Sequence, residues 1–152
     1  MIHVLEACAI IALLLGEPGE EVVWAHLLEK DATCLAHSLS LCEVFYDFYR
    51  DSGKAAAGEA IEDLKWLGVI ERKDLDEEFW RGVGALKGKY RRVSLADCFA
   101  IELTRRVAGT LLSSDHHELD PLAAARCLPD HLHSITKDGS NSKAYRFELL
   151  CL

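Results

Sequence analysis

A chain of 152 residues, half of them hydrophobic, can bury one core of ordinary domain size and is too short for two full domains. Its formal net charge of -8 excludes a generally basic surface that wraps nucleic acid through net charge alone, although a bound metal and a small basic strip could still hold phosphates locally.

Residues 2–5, "IHVL", read as a short strand, followed by a helix through Leu15 and a turn at Gly16-Glu17-Pro18-Gly19. The apolar run at residues 8–15 is too short to cross a bilayer. It also lacks the flanks of a signal peptide, so a soluble cytoplasmic protein with no membrane partner is expected. Residues 20–30 resume a helical pattern with Val22, Val23, Ala25, Leu27 and Leu28, and a second strand fits residues 32–36. "SLSLCEVFYDFYRDSG" predicts a helix capped near Ser38 or Ser40 and ended by Gly53, with another helix over residues 54–67. "GVIERKD" is a brief strand and exit, and "LDEEFWRGVGALKGK" is a helix with Leu75, Phe79, Val83 and Leu86 near helical spacing. "VSLADCFAIELTRR" opens a helix near Ser94, and "GTLLSSD" is a strand ending in polar residues. A turn and short helix follow in "HHELDPLAAARCLPD", with a last strand at residues 131–135. Strands separated by helices imply right-handed crossovers and a three-layer α/β fold with a central, mostly parallel sheet flanked by helices. The expected division is one domain over residues 1–135 and a tail over residues 136–152 of turn-like composition.

The six cysteines, Cys8, Cys34, Cys42, Cys98, Cys127 and Cys151, form no CxxC pair and mostly have apolar neighbours. Buried free thiols in a reducing compartment are expected rather than a zinc site or disulfides.

In an open parallel sheet, sites form outside the carboxyl ends of the strands. Glu6 follows the first strand, Asp115 follows "GTLLSS", and Glu43 and Asp97 lie in the first turns of helices, so independent elements deliver four acids to one rim. With Ser94 as N-cap, Asp97 is the third helical residue, where its carboxylate can close a capping box; Ser40 would place Glu43 likewise. Capping alone would explain those two. Glu6 is different, because it interrupts a run of residues that all favour burial, and a carboxylate there needs a cation or hydrogen bonds in place of water. Crowded acids repel and raise one another's pKa values, which a hard divalent cation, magnesium or manganese, would relieve. Such a site suits hydrolysis of a phosphodiester. Glu6, Asp97 and Asp115 are the expected metal ligands, and Glu43 the residue that helps hold metal or position water.

At these residues the chain resembles the PIN domain family, and within it the VapC-like toxin ribonucleases of bacterial toxin-antitoxin pairs. "HVLEACAIIALLLGEPG" is similar to the family's opening strand and helix, with Glu6 where aspartate is usual and Cys8 where a small hydroxyl residue is common. "SLCEVFYDF" resembles the segment carrying the family's glutamate, here Glu43. "VSLADCFAIELTRR" places the next acid on Asp97, and "TLLSSDHHELDPL" places the last on Asp115, preceded by the hydroxyl of Ser113. The likeness runs from about residue 2 to residue 135. It implies magnesium- or manganese-dependent endoribonuclease activity on RNA, often transfer RNA, with a cognate antitoxin protein and a second copy of the chain as partners. It also implies a toxin's role in slowing growth.

"LKGKYRR" sets Lys87, Lys89, Arg91 and Arg92 around Tyr90, a strip that could hold RNA backbone while the ring stacks on a base, or be an ordinary solvated loop. His116, His117, His131 and His133 could in principle supply a general acid, but the resemblance assigns none of them to catalysis. Phe45, Tyr46, Phe48, Tyr49 and Trp66 could form a groove for an antitoxin helix or pack in the core. The contrasting reading is a catalytically weakened relative that acts mainly through protein or RNA binding; a nuclease acting on DNA is a third.

Overall fold

The computed structural model describes residues 1–113 together with residues 133–134 and 143–144. Four strands, β1 (Ile2–Leu5), β2 (Thr33–His37), β3 (Ile70–Arg72) and β4 (Thr110–Leu112), form a sheet in the order β3-β2-β1-β4. Every pairing is parallel, with Val4 opposite both Leu35 and Leu111. The helices are α1 (Ala7–Leu15), α2 (Glu20–Leu27), α3 (Ser38–Trp66), α4 (Glu77–Lys89) and α5 (Leu95–Arg106).

Side chains alternate across a strand, and here both faces are buried, so each strand feeds two cores. Val4, Leu35 and Leu111 enter a cluster with Phe79, Val83 and Leu86 of α4 and Phe99, Ile101 and Leu103 of α5. Their neighbours Leu5, Cys34, Ala36 and Leu112 point to the other face. There they meet Ile10 and Leu13 of α1, Val23 of α2, and Val44 and Leu64 of α3. These two clusters are what make the molecule three-layered.

Local chemistry sets most helix ends. Gly16 and Gly19, at φ 67° and 103°, turn the chain from α1 into α2. Asp76 caps α4 by accepting from the Phe79 N–H at 3.2 Å. Its carboxylate and that of Asp74 both pair with Arg106 at the end of α5, whose guanidinium lies 4.9 Å from the Phe79 ring centre. Ion pairing thus joins the start of α4 to the end of α5.

Four expectations are corrected. α2 stops at Leu27 instead of residue 30, and the chain then turns through Asp31 at φ 62°. The cap of α3 is His37, whose ring Nδ1 accepts from the Leu39 N–H at 3.1 Å, rather than Ser38 or Ser40. Starting the helix at Ser38 carries Glu43 beyond its first turn, so Glu43 closes no capping box. Gly53 does end the helical φ/ψ pattern as expected, at φ 88° and ψ 176°, so α3 is two helical stretches that meet at a kink. Cys34 and Cys98 are buried free thiols as expected, but Cys42 is exposed on α3; Cys127 and Cys151 lie outside the described residues. Two short strands, β5 (His133–Ser134) and β6 (Lys143–Ala144), pair antiparallel with each other in a sheet of their own. Among the described residues, no helix is long and apolar enough to cross a membrane.

Candidate active site

β1 and β4 are neighbours in register at Leu5 and Leu112, so the residues that leave these strands, Glu6 and Ser113, emerge side by side. The Glu6 N–H continues the ladder to the Leu112 carbonyl at 3.0 Å. Glu6 is also the N-cap of α1: its Oε1 accepts from the Cys8 N–H at 3.2 Å. Its Oε2 accepts from the Ser113 hydroxyl at 2.9 Å and from the Cys8 thiol. Cys8 Sγ and Ser113 Oγ lie 3.5 Å apart, closing a small ring of donors around one carboxylate oxygen.

Asp97 reaches the same place from α5. Its N–H donates to Ser94 Oγ at 3.0 Å and the Ser94 hydroxyl donates to Asp97 Oδ2 at 2.7 Å, so cap and acid fix one another. The Asp97 side chain is also a hydrogen-bond partner of the Glu6 carboxyl. Both acids are buried, at 5% and 4% exposure, and they are the acidic residues in the buried class among the described residues. Burial pushes the Glu6 carboxyl above its ordinary value, and hydrogen bonds from Cys8, Ser113 and Asp97 only partly oppose it. Two buried carboxyls in contact must share a proton or a cation, because both cannot carry unshielded charge. An oxygen-only pair of this kind fits a hard divalent ion such as magnesium or manganese.

Recognition from sequence agrees with this geometry: the model of the PIN domain matches residues 3–123. The chain belongs to the PIN domain family. Solved structures of similar fold include VapBC2 from Rickettsia felis bound to a promoter DNA fragment, at 17% identity and a TM-score of 0.62, covering 80% of this chain and 92% of that one. VapBC-1 from nontypeable Haemophilus influenzae is similar at 17% identity and a TM-score of 0.62, over 82% and 94% of the two chains. The sarcin-ricin loop cleaving toxin VapC20 of Mycobacterium tuberculosis is similar at 16% identity and a TM-score of 0.55, over 70% and 83%. No curated protein sequence matches the chain.

The remaining expected residues of this PIN domain are distributed less simply. Glu43 is half-buried on α3, which starts directly after β2 on the rim where Glu6 leaves β1. Asp115 lies outside the described residues, as do His116, His117 and His131, while β5 carries His133. Of the four acids, the described residues therefore bring Glu6 and Asp97 together. In the basic strip, the Lys87 ammonium donates to the carbonyl oxygens of Arg91, at 3.0 Å, and Val93, tying down the loop that leaves α4. Tyr90 packs against the core with Lys89 over its ring at 5.1 Å, and Arg91 and Arg92 are exposed. Cys8 does fill the place of the small hydroxyl residue, since its thiol donates to Glu6.

Among the described residues, the grouping with three nitrogen or carboxylate donors close enough for one metal ion is His3, His26 and Glu29, whose ligand atoms all lie within 4.8 Å of one another. The sequence reading passed over it. The available signal was His3, an imidazole in the middle of an otherwise apolar strand.

Proposed function

We propose that this PIN domain is a metal-dependent endoribonuclease, the toxin of a toxin-antitoxin pair. The observation that carries the reading is the contact of Glu6 with Asp97, two buried carboxyls from separate elements at the carboxyl end of a parallel sheet. Magnesium or manganese would be held by Glu6, Asp97 and Asp115, with Glu43 orienting the attacking water. When bound, such an ion supplies positive charge against the phosphate oxygens and makes water more acidic. The chain's own part is positioning. Ser94 fixes the rotamer of Asp97, while Ser113 and Cys8 hold Glu6 so that the side chain one methylene longer than aspartate still presents its carboxylate beside Asp97.

RNA backbone would lie along Arg91 and Arg92 and the outer face of Lys89, with Tyr90 and Lys87 shaping the loop. The likeness to toxins crystallised with their antitoxins supports an antitoxin partner. Tyr46 and Tyr49 are exposed before the kink of α3 and Trp66, 88% exposed, near its end, and these aromatics are candidate contacts for an antitoxin or for the second copy of a homodimer. The cytoplasm, where RNA and antitoxin are both found, is the proposed location.

Purified protein freed of antitoxin should cut a structured RNA in magnesium or manganese, lose the activity to a chelator, and lose it on Asp97→Asn. Faster cutting of single-stranded DNA than of RNA would replace the ribonuclease reading by a DNA nuclease. Tight antitoxin binding with no cleavage of either would favour a binding protein with a residual acidic rim.

A further inference from the structure

We infer that His3, His26 and Glu29 form a second metal site, selective for a borderline transition ion such as zinc, at the opposite end of the sheet from the acidic rim. Glu29 Oε2 lies 2.8 Å from His3 Nε2 and 3.9 Å from His26 Nδ1. Ligand atoms around a tetrahedral zinc with bonds of 2.0 to 2.1 Å are about 3.3 Å apart, so these separations bracket the required spacing and small side-chain rotations would satisfy it. The two imidazole rings already lie side by side, with centres 4.4 Å apart and planes tilted by 40°. Two ring nitrogens and one carboxylate are the donor set of zinc-type ions, whereas magnesium and manganese favour oxygen.

Position separates this site from the nuclease centre. His3 precedes Glu6 by three residues of extended strand, roughly 10 Å, and lies toward the amino end of β1. Its side chain shares the face of Leu5 and is fully buried, with Nδ1 given no hydrogen-bond partner. The buried ring is held at Nε2 by the Glu29 carboxylate alone, and a metal bond at that nitrogen, with Glu29 as a fellow ligand, would offset its lost hydration more strongly than the one hydrogen bond.

The packing of α2 gives the site a purpose. Val23 is the helix's one fully buried residue, with Val22, Trp24 and Leu27 only partly buried against the same cluster, so α2 is a peripheral layer over the sheet. An ion bound by His26 in its last turn, by Glu29 just beyond it, and by His3 on β1 would pin the carboxyl end of α2 to the central strand. The expected role is therefore structural, and it is independent of the nuclease reading.

Thermal unfolding of the chelator-stripped full chain tests the inference. Zinc in about hundredfold excess over its Kd should raise Tm by roughly 5–10 °C, with no comparable rise from an equal concentration of magnesium. His26→Ala and Glu29→Gln, each compared with and without zinc, should lose most of that rise, and Asp97→Asn should keep it. No zinc-induced rise would overturn the inference. So would a rise retained in both His26→Ala and Glu29→Gln, which would place zinc on other histidines of the chain, or one lost in Asp97→Asn, which would place it on the acidic rim.

Discussion

Glu6 does three things with one carboxylate: it caps α1, ties β4 to β1 through Ser113, and meets Asp97. Ser113→Ala removes a donor from Glu6 Oε2 without touching the acids themselves. RNA cleavage should fall about 10- to 100-fold, the usual cost of losing a group that orients a metal ligand, with recovery at higher manganese concentration. An unchanged rate would mean that Ser113 does not position Glu6 for the reaction. Cys8→Ser replaces a weak thiol donor by the hydroxyl common in the family, and its cleavage rate should stay within a few-fold of the parent or rise. Glu6 and Ser113 were legible in the sequence because each immediately follows an apolar strand, and Asp97 because it stands three residues after a serine cap. What could not be read there was that Cys8 and Ser113 converge on the same oxygen, since that depends on β1 and β4 being neighbours.

The start and the middle of α3 carry separate predictions at the level of the element. His37 is buried, with Nδ1 accepting from the Leu39 N–H and Nε2–H donating to the Asp74 carbonyl at 3.1 Å, an arrangement open only to the neutral ring. Burial holds its pKa below the ordinary histidine value of 6.5. The neutral ring therefore contributes stability that is complete above 6.5 and is lost as pH falls through the lower folded value. Tm should drop between about pH 7 and pH 5, and His37→Asn, whose amide can cap without titrating, should have a flatter profile over that range. A parallel profile for the two proteins would show that His37 does not supply the dependence. Further along, a Cβ at Gly53 would meet nothing within 4 Å, but φ is 88°. Gly53→Ala should thus cost about 1–3 kcal/mol in urea unfolding through backbone strain alone, and a neutral result would show that α3 straightens without penalty. The kink was legible because glycine punctuates a helix; the histidine cap was not, because serine is the commoner cap and two stood nearby. That misreading also put Glu43 in the wrong turn.

Across the whole molecule, the three layers were readable because strand side chains alternate between two apolar clusters and helical segments separate the strands. The parallel sheet then gathers residues far apart in sequence onto one rim, which is why strand and helix order alone points Glu6 and Asp97 to the same place. The His3, His26 and Glu29 group followed no such rule, because it forms only when the end of α2 folds back over β1. The central claim is that Glu6 and Asp97 share one hard cation. A crystal structure grown with manganese, with the ion located by anomalous scattering, tests it most directly. The account predicts a peak within bonding or one-water distance of both carboxylates, and contradiction would be a manganese-saturated crystal in which the ion lies elsewhere and the two acids hold only a proton between them.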